Sequence, residues 1–332
     1  MRRPVFMNVA DTMRALRYDH YGSADVLRIY DVPEPSPAPG QAKIRVRAAG
    51  LNPLDWKLVA GHLRFAPMFR SPPRGVGCDF SGEVVAVGGG AAPLHVGDRV
   101  FGSLLAFGRD GACSEYLAIP YDRLVALPNE IDDVHAASLP IAGGTALQAL
   151  TDDARVVSGD RVLITGAAGG VGHFAVQVAK HLGAYVVAVC SGRNVDFVRA
   201  LGADQVVDYE KSDFTLGGDR FDIVFDAACA SSFAASRRVL TPSGCYINTG
   251  GDAASVIGTV AGALIARFTS RQRAVPLMIK NHAPLWRRLL ELVRGGTVRA
   301  HVERVIGCED VADALRSLQS GHGRGKIVVR LT

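Results

Sequence analysis

A run of small residues, Gly166-Ala167-Ala168-Gly169-Gly170-Val171-Gly172, lies between an apolar stretch at 160–165 and a segment with apolar residues at Phe174, Ala175, Val178, Ala179 and Leu182. Small residues let a backbone turn sharply and come close to a ligand. A helix starting near Val171 would present free N–H groups and the positive end of its dipole to a phosphate. A second apolar run at 185–190 follows, too hydrophobic for a half-exposed strand. Strand, glycine turn, helix and parallel strand make a right-handed βαβ unit, the setting in which such a turn binds a dinucleotide. Ala168, Gly169, Gly170 and Val171 are therefore expected to cradle a pyrophosphate.

The residue that reads the ribose should lie about 20 positions beyond the turn. Ser191-Gly192-Arg193-Asn194 stands there. No carboxylate is present to take a free 2′-hydroxyl, whereas a hydroxyl and a guanidinium suit a 2′-phosphate. Ser191 and Arg193 thus point to NADPH rather than NADH, against the plainer reading of Arg193 as a solvated surface charge. Thr249 and Gly250 follow the fifth apolar strand of this half, at the carboxyl edge of the sheet where the nicotinamide end is expected.

The elements that position these residues can be read from periodicity. Strands are expected at 205–207, 221–226 and 244–248, with helices at 194–201 and 231–240, which makes a doubly wound parallel sheet. Residues 132–150 read as two helical pieces broken at Gly143-Gly144-Thr145. Ahead of them, short strands at 14–18, 26–30, 43–48, 81–88, 98–102 and 114–118 alternate with turns, as in an antiparallel sheet or partly open barrel. Ile44, Val46 and Ala48 fall on one face of such a strand. Helices near 283–293 and 310–319 and a strand at 326–330 close the chain and most economically return to the first lobe.

Composition narrows the function. The chain has 332 residues, 48% of them hydrophobic and 21% charged, which fits two soluble lobes with real cores. A net charge of +5 with scattered arginines gives no nucleic-acid footprint. Six cysteines without C-x-x-C spacing, and no secretory segment, suggest reduced thiols in the cytoplasm. The apolar run 253–266 is too short and too glycine-broken to cross a bilayer and reads as a packed helix or subunit contact.

Several further segments carry a resemblance: 52–57 (Asn-Pro-Leu-Asp-Trp-Lys), 77–84, 97–102, 111–116, 142–146, the 166–172 turn and 325–329 (Gly-Lys-Ile-Val-Val). In this order the chain resembles the medium-chain dehydrogenase/reductase superfamily, and within it the zinc-free quinone oxidoreductase branch. The resemblance implies an α/β architecture: a GroES-like β-barrel catalytic domain at 13–133 and 279–332, a Rossmann NADPH-binding domain at 134–278, and a flexible tail at 1–12. It also implies a cleft between the domains and a homodimer. Zinc-bearing relatives have a Cys ahead of the Asp in the 52–55 segment, Gly-His-Glu in place of Gly77-Cys78-Asp79, and a Cys near Ile141. Here only Cys78 and nearby carboxylates remain, so no metal is expected.

By the same resemblance Lys57 lies near the nicotinamide ribose, where an ammonium can offset negative charge developing on an acceptor. Asn52 can bind the acceptor oxygen or simply cap the turn at Pro53. Thr145 would reach the nicotinamide end, and Tyr209 would sit by the 2′-phosphate. Without a metal, a quinone or α,β-unsaturated carbonyl is the easier hydride acceptor, because conjugation spreads the incoming charge. The expected activity is hydride transfer from NADPH to a small apolar quinone or enone. Two other readings stay open: a trans-acting enoyl reductase on a carrier-bound thioester, and a non-catalytic NADPH-binding protein with a structural or RNA-binding role.

Overall fold

The computed structural model describes residues 11–64, 71–90, 93–104, 110–249, 258–264, 270–280 and 282–331. The antiparallel half starts with β1 (Thr12–Tyr18), which pairs with β2 (Arg28–Pro33) from Thr12 onward. The expected tail to residue 12 is therefore already strand at its last position, and residues 1–10 lie outside the described residues. The second strand also starts later than expected, because Ala24–Val26 closes as a single helical turn capped by Ser23.

β3 (Gln41–Leu51) is the spine of this half. Ile44, Val46 and Ala48 are buried on one face, as their alternation with charged residues requires. After β3 come helix α1 (Pro53–Val59), the two-residue strand β4 (Arg74–Gly75), β5 (Asp79–Val87), β6 (Arg99–Ser103), β7 (Tyr116–Pro120) and β8 (Leu124–Ala126). β3 pairs antiparallel with β5 along most of its length, with β7 at its start and with the last strand of the chain at its end.

The second half is a six-stranded parallel sheet. Helices α2 (Asp133–Ala137) and α3 (Pro140–Gln148) lead into β9 (Arg161–Thr165), α4 (Gly172–His181), β10 (Tyr185–Cys190), α5 (Val195–Ala200), β11 (Gln205–Asp208), β12 (Phe221–Asp226), α6 (Phe233–Ser236), β13 (Leu240–Asn248) and β14 (Arg273–Pro276). The sheet order is β11-β10-β9-β12-β13-β14, the doubly wound arrangement in which ligands bind at the carboxyl ends of the strands.

Three expectations are corrected here. The break between the two helical pieces falls at Ser138-Leu139, ahead of Pro140, and α3 runs through both glycines. Gly143 and Gly144 serve packing instead: a Cβ on Gly143 would lie 2.5 Å from Leu289 Cδ2, on the helix Ala283–Arg294 that crosses α3. Trp286 of that helix is buried and donates its Nε1–H to the Pro140 carbonyl at 3.1 Å. The helix expected at 231–240 is one short turn, because residues from Leu240 onward are drawn into β13 beside Phe221. β14 was not foreseen: four residues, half-buried and carrying a proline, leave no alternation to read. Within the apolar run 253–266, residues 258–264 are helical and the rest lie outside the described residues.

The chain closes with β15 (Val302–Ile306), a helix Val311–Gln319 and β16 (Lys326–Arg330). β15 and β16 are parallel, and β16 completes the sheet of the first half alongside β3.

Candidate functional site

The glycine turn sits between β9 and α4. Gly166 has φ +59, and a Cβ on Gly172 would lie 2.1 Å from the Gly166 carbonyl oxygen, so the turn can close only with glycine at that position. The Gly169 N–H donates to Gly166 O at 2.9 Å and completes the bend. Ala168, Gly169, Gly170 and Val171 thus lie together at the mouth of α4, where a helix leaves first-turn N–H groups without intrahelical partners, the His173 N–H here donating to Gly169 O at 3.1 Å. This backbone cradle fits a pyrophosphate.

Behind the turn lies His173, fully buried, with burial pushing its pKa down to about 4. Its Nε2 accepts the His301 N–H at 3.1 Å, so the ring proton must be on Nδ1, which donates to Gly169 O at 2.9 Å. The neutral ring thereby links the turn to the segment before β15. Gln177, one turn further along α4, donates to Arg299 O and accepts from Arg299 N. The Gly325 N–H donates to Ala168 O at 2.8 Å. The turn is thus held from the side by the segments at 299–301 and 325.

At the end of β10, Ser191 is buried and accepts from Asn194 Nδ2 at 3.1 Å. Arg193 is exposed, and its Nη2 donates to His322 O at 2.6 Å. Tyr209 follows β11, is 50% exposed, and donates its N–H to Cys190 O, so it flanks Ser191. All three residues lie at the carboxyl ends of the neighbouring strands β10 and β11. Thr249 ends β13 at the far side of the same edge, where its hydroxyl donates to Ala227 O at 3.3 Å. Gly250 lies outside the described residues. Thr145 is buried within α3, three residues before the helix end, and does not cap it.

Between β9 and β13 the loop after β12 is built on Asp226. Its carboxylate accepts from Thr165 Oγ1, from the N–H groups of Ala230 and Ser231 at 2.9 Å each, and from Tyr246 Oη at 2.9 Å. Burial drives the Tyr246 phenol upward, so it stays a donor. The loop so fixed carries Cys229 at φ +53, with its thiol 3.4 Å from Thr249 Oγ1.

The catalytic lobe brings its polar residues to the end of β3 and the start of α1. Asn52 is 2% exposed; its Nδ2 donates to Gly50 O at 3.3 Å and to Asp79 Oδ2 at 3.0 Å, and its Oδ1 accepts from Lys326 Nζ at 2.6 Å. Both amide hydrogens are therefore engaged inside the protein. Lys326 Nζ also donates to Leu51 O at 2.8 Å and lies 3.8 Å from Asp79 Oδ2. Asp55 accepts the Asn52 N–H at 2.7 Å, with the Cys78 thiol 3.6 Å away. Burial raises both Asp55 and Asp79 to about 6, lowers Lys326 and holds the Cys78 thiol well above its ordinary value. Lys57, half-buried on α1, places its Nζ 5.8 Å from the Trp56 ring centroid.

Lys326, Asp79, Asp226 and Arg324 were not singled out from the sequence. Lys326 was visible as part of the Gly325–Val329 segment, but a lysine inside a strand reads as exposed until its register is known. Among the described residues no group of three or more His, Cys, Asp or Glu could hold a metal ion. No described helix is long and apolar enough to cross a membrane.

A GroES-like lobe joined to a Rossmann lobe whose glycine turn faces a polar cluster defines a nicotinamide-dependent oxidoreductase. Residues 38–129 match the alcohol dehydrogenase GroES-like domain, and residues 201–329 match the family described as zinc-binding dehydrogenase. The chain is 36% identical over 330 residues to the chloroplast envelope quinone oxidoreductase homolog of Arabidopsis thaliana, covering 96% of this chain and 98% of that one. It is 30% identical to a 2-methylene-furan-3-one reductase of Solanum lycopersicum over 97% of this chain and 80% of that one. The solved quinone oxidoreductase of Coxiella burnetii superposes with a TM-score of 0.86 at 32% identity, covering 97% of this chain and 100% of that one. The chain belongs to the medium-chain dehydrogenase/reductase superfamily, on the side of its quinone oxidoreductases.

Proposed function

We propose that this chain is an NADPH-dependent reductase of quinones or α,β-unsaturated carbonyls that works without zinc. The observation that carries this reading is the closed cluster at α1 and β5. There the Asp79 carboxylate already faces Lys326 and the Asn52 amide, and Asp55 takes the Asn52 N–H with the Cys78 thiol 3.6 Å away. A zinc site needs three deprotonated ligands and an open position, and this donor set does not fit one.

NADPH, when bound, supplies the hydride. The chain's own residues hold and orient: the turn at Ala168–Val171 takes the pyrophosphate, and Ser191, Arg193 and Tyr209 take the 2′-phosphate. Thr145 and Thr249 approach the nicotinamide end. Lys57 offers an ammonium to the acceptor oxygen or the ribose as negative charge develops, while Asn52 positions the start of α1. Conjugated acceptors need only that much help. The tomato relative, named for a substrate with an exocyclic alkene beside a ketone, supports this choice. β14, an edge strand paired only with β13 among the described residues, supports a homodimer.

The test is NADPH consumption by a panel of quinones, enals, enones, enoyl thioesters and plain ketones, alongside metal analysis of the purified protein. Turnover of quinones or enones by metal-free protein is expected. One zinc per chain, or turnover of plain ketones alone, would overturn the reading. Preference for carrier-bound enoyl thioesters would move it to the enoyl reductases.

A further inference from the structure

The ribose end of the cradle is laced from both sides. Arg193 Nη2 donates to the main chain at His322, on the segment leading into β16, while Arg324 Nη2, on that same segment, donates back to Arg193 O at 3.1 Å. Arg324 Nε also donates to Asn194 Oδ1 at 3.0 Å, and Asn194 in turn donates to Ser191 Oγ. The Arg324 guanidinium stands 5.2 Å from the Phe197 ring centroid, which further fixes its plane. Two guanidiniums from opposite sides of the chain thus border one short turn, the turn that carries Ser191. The acidic neighbours are Asp208, whose carboxylate lies against Gly192 and is paired with Lys211 at 3.1 Å, and Glu303, whose carboxylate lies beside Gly323.

We infer that Arg324 is a specificity-determining residue that reads the 2′-phosphate of NADPH together with Arg193. Two of its five N–H donors are spent on the turn, and the rest of the fork remains for a phosphate. The inference rests on the NADPH reading above and adds to it a cation from the segment that enters β16. The next two residues of that segment are Gly325, bound to Ala168 of the pyrophosphate cradle, and Lys326, bound to Asn52. One five-residue stretch therefore touches the phosphate end, the middle and the catalytic end of the nucleotide's expected path.

The experiment compares 2′,5′-ADP with 5′-AMP by calorimetry in the parent, Arg324→Ala, Arg324→Gln and Arg324→Lys. The parent should bind 2′,5′-ADP far more tightly than 5′-AMP. Arg324→Ala should weaken 2′,5′-ADP by roughly 10- to 100-fold, the loss of one charge-assisted contact, and leave 5′-AMP within about 2-fold. Arg324→Gln keeps a donor for Asn194 and should show the same selective loss, separating lost charge from a disturbed turn, and Arg324→Lys should recover part of it. Equal losses for both nucleotides, or none, would overturn the assignment and leave the NADPH reading standing. A parent that does not distinguish the two nucleotides overturns both.

Discussion

Lys326 Nζ lies 2.6 Å from Asn52 Oδ1, buried at the end of β3, with Asp79 its nearest carboxylate at 3.8 Å. The ammonium is the cation against which two buried acids are set, and its removal leaves them uncompensated. Lys326→Met is expected to cost about 3–5 kcal/mol of stability, the usual penalty for orphaning one side of a buried pair. Because Asp79 titrates near 6, the cost should be larger at pH 8, where it is ionised, than at pH 5, where it is protonated. Urea unfolding at the two pH values measures this; a pH-independent loss below about 1 kcal/mol would show that the pair contributes little.

Gly172 should tolerate no side chain. Alanine there would press its Cβ to 2.1 Å from a backbone oxygen that cannot rotate away. Gly172→Ala is expected to open the turn and lower cofactor affinity by roughly 100-fold, with circular dichroism little altered. Fluorescence titration with NADPH reads the change directly, and unchanged affinity would mean the cradle is not where the nucleotide binds.

The crossing of α3 and the helix Ala283–Arg294 makes a packing prediction. Gly143→Ala forces Leu289 to move and should cost about 1–3 kcal/mol. Leu289→Ala alone should also destabilise, yet the two changes together should cost less than their sum, because the new methyl fills space the leucine leaves. Strict additivity in thermal unfolding would deny the contact.

His173 gives a pH signature. Its folded pKa, about 4, lies below the ordinary 6.5, so on acidification the unfolded chain takes up the proton first. The stability it contributes is complete above pH 6.5 and is lost as pH falls from 6.5 through 4, about 3 kcal/mol in all. Asp55 and Asp79, with raised folded values, act in the opposite sense between about 4 and 6. They are common to parent and variant, so they cancel in the difference between parent and His173→Gln. The variant should be less stable at pH 7 and should lose less on acidification, and parallel stability-pH curves would show that the ring is not held neutral.

The strand-turn-helix frame of the candidate nucleotide site was legible because its signals are local. The 166–172 turn, the apolar runs on either side and the residues at 191–193 lie within thirty-four positions, and each element has a period of its own. Gly143 and Gly144 misled because a glycine inside a helix reads as a break when the helix packed against it is 140 residues away. Asn52 read as a free amide for the same reason: its partners Asp79 and Lys326 come from elsewhere in sequence, and no spacing rule joins them. Arg324 was hidden in a polar loop that only the β16–β3 pairing carries to the end of β10.

The hydrogen bonds that brace the cradle, from His301 to His173 and from Gly325 to Ala168, join residues more than 120 positions apart. A chain emerging from the ribosome would thus display its glycine turn long before the strand that supports it has been translated. Tight nucleotide capture would then wait until Gly325 had emerged, and a copy stopped ahead of that residue would hold a cofactor poorly however well its central sheet had folded.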